Sequence, residues 1–201
     1  MIKRIFFFAL IFLSISAYSN NFKNRYGILL NESTFLGKIG SIKATYAYGV
    51  GFSYNFSEKF SITYLMSLME VETGFYTTNY SPVAGGPPRT SNYKINYFIP
   101  VLEGSYKLIS NNKLELNIGL GVQLQYQYKS IFYLIENSML SVFKYDHWFL
   151  KYGYSKLFIS GVYKPINHFE VSINPFYLKN LNQIKYNYTN YGFDLRIHYI
   201  F

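Results

Sequence analysis

His147 is the residue of this 201-residue chain that comes closest to a catalytic setting. It follows Asp146 and lies within ten residues of Ser138 and Ser141, and serine, histidine and carboxylate are the groups of nucleophilic acyl transfer. In an extended chain, however, adjacent side chains point to opposite faces, so Asp146 is a poor partner for the imidazole ring. We expect His147 to be a solvated histidine at the rim of the fold, and no catalytic residue is predicted.

Metal, cofactor and nucleic-acid chemistry are not indicated either. The three histidines are scattered and there is no cysteine, which gives no metal-ligand spacing. Gly85-Gly86-Pro87-Pro88 lacks the Lys-Ser/Thr of a phosphate loop. The formal charge of +9 is not concentrated in one cluster of Lys and Arg. We therefore expect no cofactor and no nucleic-acid partner.

A sustained period-two pattern is the strongest structural signal. Between Leu114 and Lys129 the even positions are apolar or aromatic, and the odd positions are polar or glycine. Alternation over sixteen residues exceeds an ordinary soluble strand and is typical of a membrane-spanning β-barrel with a polar interior. The aromatic content of 21%, with 23 tyrosines, also suits a membrane interface.

Eight segments carry this pattern, which predicts an all-β fold, an eight-stranded antiparallel up-and-down transmembrane β-barrel. The predicted strands are 23–31, 42–56, 60–68, 93–108, 114–129, 148–163, 169–178 and 191–201. In the fourth strand we predict a bulge near Pro100 that leaves Tyr97 and Ile99 facing outward. In the sixth we predict a bulge near Ser155 and Lys156.

The first residues predict export. Lys3 and Arg4 precede nine apolar residues and then small residues ending at Ser19, which is the layout of a secretory signal peptide. We therefore divide the chain into a signal peptide (1–19) and a barrel (20–201). Because single-chain barrels have short periplasmic turns and long outer loops, we expect both termini in the periplasm of a Gram-negative bacterium. The long loops are predicted at 72–92, 130–147 and 179–188.

Two segments resemble known outer-membrane proteins. The final strand, with Tyr199 and the terminal Phe201, looks like the assembly signal that barrel-insertion machinery reads. Tyr97-Phe98-Ile99-Pro100-Val101-Leu102 is similar to a strand motif of an outer-membrane β-barrel family common in Bacteroidetes, although Phe98 stands where that family often has Glu. The resemblance implies a small barrel like those of OmpX and OmpA, located in the outer membrane, and it implies no particular activity.

A soluble barrel of the lipocalin kind is the alternative fold, with its apolar face turned inward around a ligand. The paired glycines Gly49/Gly51 and Gly119/Gly121 disfavour it. They occupy the polar face, where a soluble protein needs solubilising side chains. In a narrow membrane barrel the same glycines make space inside.

Charged residues on the inward face predict two sites. A lumen charge network, acting as a structural plug or as a gate, is expected because unpaired buried charges are costly; its members are Arg25, Glu103, Lys107, Glu115, Glu170, Asp194, Arg196 and His198. Above it we predict an electropositive extracellular vestibule formed by Lys43, Lys94, Lys129 and Lys151, with Glu70 and Glu72 at the rim. Side chains fill so narrow an interior, which argues against transport through an open pore.

Three functions remain open from the sequence. The favoured one is a non-enzymatic, porin-like outer-membrane barrel, expected to be monomeric, whose long loops bind something outside or which reinforces the membrane. A lipid A-modifying enzyme using His147 is the second, and an accessory barrel of a secretion system is the third. The expected partners are outer-membrane lipid, lipopolysaccharide and the insertion machinery, together with an unidentified extracellular or periplasmic protein.

Overall fold

The computed structural model describes residues 26–36, 45–72, 76–78, 89–136, 139–181 and 190–201. The regular elements in these ranges are β-strands: β1 (Tyr26–Phe35), β2 (Thr45–Asn55), β3 (Phe60–Glu72), β4 (Tyr76–Thr78), β5 (Arg89–Ser110), β6 (Leu114–Glu136), β7 (Met139–Ile166), β8 (Phe169–Asn180) and β9 (Asn190–Ile200). Among the described residues, no helix is long and apolar enough to cross a membrane. The predicted signal peptide lies outside the described residues.

The strands close into a ring of antiparallel neighbours. Each long strand pairs with the next along the chain, and β1 pairs with β9. The three-residue β4 continues β3, because both pair with β5. The predicted eight-stranded up-and-down barrel is therefore confirmed.

Short turns gather at one end of the barrel, the turn end. They occupy 56–59, 111–113 and 167–168, and the first and last described residues, Tyr26 and Phe201, lie at the same end. Side chains build two of the turns: the Ser57 hydroxyl accepts a hydrogen bond from the Phe60 amide, and the Asn111 side chain accepts one from the Leu114 amide. The opposite end is called the loop end.

Strand β6 has the alternation that its sequence predicts. Its even positions face outward, with Leu120 67% exposed, whereas Gln123 and Gln125 are buried inside. Gly119 faces the lumen opposite Phe158, where an added Cβ would lie 2.1 Å from the Phe158 Cζ atom. The glycine therefore admits the Phe158 ring into the narrow interior, as the sequence argument expected.

The bulges predicted in the fourth and sixth long strands are wrong. Strand β5 pairs with β3 without interruption past Pro100, and Tyr97 and Ile99 are buried in the lumen rather than turned outward. On β7 the pairing with β6 shifts at Lys151, not at Lys156. The inward face of β7 consequently includes buried Tyr154 and Lys156.

The segment 130–147 was predicted as a loop, but most of it is strand. Strands β6 and β7 pair from the turn end to Glu136 and Met139, and β5 pairs with β6 as far as Thr90. These three strands have 22, 23 and 28 residues, whereas the other long strands have 10 to 13. At about 3.3 Å per residue, an excess of nine residues corresponds to roughly 30 Å of strand beyond the other described long strands. We call this extension (89–97, 128–136 and 139–152, with β4) the projecting wall.

Candidate functional site

The lumen nearest the loop end is filled by apolar side chains, which we call the lumen core. Thirteen buried residues form this core, including Leu65, Ile99 and Leu178, each at most 1% exposed; two of the thirteen, Leu29 and Phe158, extend toward the turn end. The sequence placed an electropositive vestibule in this half of the barrel. The described residues instead fill this half of the lumen with packed apolar side chains. The prediction of a positively charged vestibule above the charge network is therefore wrong.

The lysines assigned to that vestibule do not come together. Lys94 lies on the outer face, where its Nζ is 2.5 Å from a Glu70 carboxylate oxygen. Lys129 is paired with Asn96 and Asp146 across the wall, and Asn96 is the direct neighbour of Glu70, so Lys129 shares the outer face. Residue 43 lies outside the described residues.

Only Lys151 among the described lysines of that set turns toward the lumen side. Its Nζ lies 5.6 Å from the centre of the Phe149 ring and 5.8 Å from that of Tyr152, which packs against the lumen core. A single lysine over two aromatic rings does not make a vestibule. It is a cation-π contact at the bulge of β7.

Below the lumen core lies a buried ion cluster of two acids and two bases. Arg196 donates to both oxygens of Glu103, at 2.6 and 2.8 Å, and also to Asp194 at 2.6 Å. The Lys156 Nζ lies 2.8 Å from Glu103 and 2.7 Å from Asp194. The four side chains are 0 to 8% exposed and their formal charges cancel, so the carboxylates are paired as burial requires.

Neighbouring polar groups complete the hydrogen bonding of this cluster. The Ser33 hydroxyl donates to Asp194 at 2.7 Å, and the Arg196 Nε donates to the Asn31 side chain at 3.1 Å. The sequence predicted three of the four charged members and missed Lys156. The missed signal was simple alternation: Lys156 lies two residues from Tyr154 and from Phe158, all three buried on one face.

Toward the turn end the lumen opens into a polar cavity of about 1560 Å³, which we call the turn-end chamber. Glu115 lies on its wall and is bound by Lys107 at 2.6 Å, by Ser110 at 3.0 Å and by Lys164. Lys164 also lies 3.5 Å from Glu170. Lys107, Glu115 and Glu170 belong to the predicted network, whereas Lys164 does not, and residue 25 lies outside the described residues.

The chamber wall continues with a serine, a histidine and a glutamate in contact. The His198 Nε2 lies 2.6 Å from the Ser53 Oγ, and its Nδ1 lies 3.3 Å from a Glu170 carboxylate oxygen. The histidine and glutamate side chains are 16% and 15% exposed, and all three residues line the chamber. The sequence predicted His198 and Glu170 as network members but did not single out Ser53.

His147 has a different neighbourhood from the one a catalytic base needs. Its Nε2 lies 3.2 Å from the Gln127 side-chain nitrogen, and its ring stacks on Phe149 at 5.0 Å between centroids. Ser141 is six residues away on the same strand, about 20 Å at strand spacing. Ser138 lies outside the described residues. The geometry does not bring Ser141 to His147.

No family model and no curated protein matches the chain. Solved structures of small barrels do match it. The N-terminal β-barrel domain of Pseudomonas aeruginosa OprF superposes with a TM-score of 0.52 at 8% identity, covering 89% of this chain and 98% of that one. Neisserial surface protein A gives 0.53 at 7% identity, over 88% and 97% of the two chains. OprG of P. aeruginosa, an outer membrane protein, gives 0.50 at 13%, over 89% and 97%.

The chain has the fold of a small outer-membrane barrel. Within the described part of this barrel, no group of three or more His, Cys, Asp or Glu side chains could hold a metal ion. The residues predicted as an assembly signal lie at the closing seam, where the first strand, β1, pairs with the last, β9. The rings of Tyr199 and Phe201 are 5.0 Å apart, and the Phe201 amide donates to the Tyr26 carbonyl oxygen at 2.9 Å.

Proposed function

We propose that this protein is an integral outer-membrane barrel that holds its projecting wall on the cell surface as a binding surface for an extracellular protein. The observation that carries the proposal is the length of β5, β6 and β7, which continue as paired strands far past the other five long strands. A barrel that served only to reinforce the membrane would need no such extension. The turn end lies in the periplasm in this proposal.

The outer face supports residence in a bilayer. It carries large exposed apolar residues on every long strand. Soluble monomers rarely expose so large an apolar surface to water. At the base of the wall, Trp148 stacks on Tyr128 at 5.4 Å and contacts Phe98 at 5.9 Å. On β6, the segment from Leu116 to Tyr126 is eleven residues long, which matches the nine to eleven or so that a tilted strand needs to cross.

The wall has the features of a surface for strand addition. Among the described residues, β8 follows β7 only as far as Tyr154, and the Leu181 amide bonds to the Gly153 carbonyl oxygen. Before Gly153, the described part of the chain supplies no strand along that edge of β7. Phe143 and Tyr145 on this edge strand are 44% and 55% exposed. An edge that pairs with no described strand and carries exposed aromatic side chains can bind an extended segment of a partner protein.

The same proposal accounts for the other expected partners. The apolar outer face contacts outer-membrane lipid and lipopolysaccharide, and the Tyr199–Phe201 seam is where the insertion machinery would act. The barrel is proposed to act as a monomer whose wall binds rather than catalyses; among the described residues, Ser141 lies too far along β7 to serve His147 as a nucleophile.

Single-cysteine labelling tests the orientation, since the native chain contains no cysteine. Lys144→Cys places the thiol on the wall, and Lys113→Cys places it at an exposed turn. In intact cells, a membrane-impermeant maleimide is expected to label the first and spare the second, while both react after lysis. Labelling of the turn but not of the wall in intact cells would reverse the orientation and remove the proposed surface function.

A further inference from the structure

We propose that Ser53, His198 and Glu170 form a nucleophilic serine site that cleaves small carboxylic esters in the turn-end chamber. The site lies at the end of the barrel opposite the projecting wall. It is therefore an activity beyond the proposed surface function and does not depend on it.

The contacts assign each residue a role. Ser53 is the nucleophile, because its Oγ lies 2.6 Å from the His198 Nε2, within the range for a serine and its general base. His198 is the base. Glu170 is a positioning residue, because its carboxylate oxygen lies 3.3 Å from the Nδ1 on the other side of the same ring. This order of contacts is that of a serine, histidine and acid triad.

A missing side chain makes the contact between serine and histidine possible. Ser53 lies on β2 and His198 on β9, with β1 between them. The intervening residue is Gly27, where an added Cβ would lie 2.1 Å from the His198 Nε2 and 2.9 Å from the Ser53 Oγ. Any larger residue would occupy the space in which the two groups meet.

The surroundings suit a reaction rather than simple burial. All three residues line the chamber, and Ser53 is 7% exposed, so the chamber is the side from which a small substrate approaches its hydroxyl. Lys164 lies 3.5 Å from Glu170, and Lys107 lies on the same chamber wall. Lys107 and Lys164 line the chamber as cations, which suit the negative charge that develops on the ester oxygen.

The reaction proceeds in two balanced steps. In the first, the Ser53 oxygen bonds to the ester carbonyl carbon while its proton passes to the His198 Nε2; the carbon–oxygen bond to the alcohol then breaks and the alcohol leaves with that proton. In the second, water gives a proton to His198 and attacks the acyl-serine. The acid is released and the serine recovers its proton.

The test uses the full chain folded in detergent, with folding verified by the change in gel mobility on boiling. A fluorophosphonate probe is expected to label the wild-type protein at Ser53, identified by peptide mass spectrometry, and the protein is expected to hydrolyse p-nitrophenyl acetate. Absence of labelling at Ser53 in folded wild-type protein would overturn the proposal. The outcome on wild-type protein decides it even where a variant fails to fold.

Variants then separate a reactive serine from a merely hydrogen-bonded one. Ser53→Ala should abolish labelling, whereas Ser61→Ala should leave it unchanged; Ser61 lines the same chamber, but its hydroxyl contacts Ser105 at 2.6 Å. Glu170→Gln should lower kcat by about tenfold or more. KM should change little, because the Glu170 carboxylate orients His198 and does not contact the substrate. Equal labelling of Ser53→Ala and wild type, or loss of labelling in Ser61→Ala alone, would contradict the assignment.

Discussion

Glu103 on β5 and Arg196 on β9 are joined across the lumen by two parallel hydrogen bonds of 2.6 and 2.8 Å. A planar guanidinium and a carboxylate favour this two-bond geometry. The pair is 1% and 8% exposed, and Lys156 and Asp194 complete a neutral set of four around it. The lumen is thus filled at this level by an ion cluster beneath an apolar core. We expect the stability of the barrel to depend on equal numbers of positive and negative charges in that cluster.

Removing one carboxylate should destabilise the barrel strongly. Glu103→Gln leaves Arg196 and Lys156 with Asp194 as the only acid of the cluster, and uncompensated buried charge typically costs about 3 to 5 kcal/mol. We expect a decrease of that size in the free energy of unfolding, measured by urea titration in lipid vesicles. Glu58→Gln, at an exposed turn, is the control and should change it by less than about 0.5 kcal/mol.

Charge balance can be separated from loss of packing with a double variant. Glu103→Gln combined with Lys156→Gln removes one charge of each sign, so the double variant should be more stable than the sum of the two single effects predicts. Strict additivity of the two single changes would show that Glu103 and Lys156 do not act as a pair.

Gly119 should tolerate no side chain, whereas Gly104 should. An alanine Cβ at 119 would lie 2.1 Å from the Phe158 ring and 2.7 Å from the Gly104 carbonyl oxygen, so Gly119→Ala should cost about 1 to 3 kcal/mol through overpacking. At Gly104 an added Cβ meets nothing within 4 Å. Unfolding in urea should therefore leave Gly104→Ala close to wild type, and equal losses in the two variants would argue against the inward placement of Gly119.

The ion pair on the wall should contribute little to barrel stability. Lys94 and Glu70 have side chains 30% and 50% exposed, and solvent screens an ion pair in such a position so that it contributes little to stability. Lys94→Ala is expected to leave the urea midpoint of the barrel nearly unchanged. A loss comparable with that of Glu103→Gln would mean that this lysine is part of the interior after all.

The projecting wall should be removable without unfolding the barrel. Replacing 132–143 by a short turn deletes the tip of the β6–β7 hairpin, and no described member of the lumen core lies in that range. The shortened protein should still insert and show heat-dependent gel mobility, because the packed interior is intact. Failure to insert would indicate that the wall takes part in barrel folding rather than standing apart from it.

Period-two alternation predicted the fold because one face of β6 is wholly apolar and the other polar or glycine. The same reasoning failed on β5 and β7, where Tyr97, Ile99 and Tyr154 are apolar yet lie inside. An apolar side chain indicates the lipid face only where the lumen is polar. Near the loop end the lumen is itself an apolar core, so both faces carry similar residues and the register is ambiguous.

The site was predicted in part for a related physical reason. Opposite charges on inward faces must pair, which identified Glu103 and Arg196, but the choice of partners depends on how side chains extend across the lumen. Lys156 was missed because a bulge was placed there. The contact of Ser53 with His198 requires the gap at Gly27 between two strands that are not adjacent, and no sequence pattern records it.

Lipid accessibility along β6 tests the account most directly. Cysteines introduced one at a time at 118–123 would carry spin labels in a barrel reconstituted into vesicles, and electron paramagnetic resonance would measure collision with dissolved oxygen, which concentrates in lipid. We predict high accessibility at positions 118, 120 and 122 and low accessibility at 119, 121 and 123. The reverse alternation, or a uniform value along the strand, would contradict a membrane barrel with Leu120 outside and Gln123 inside.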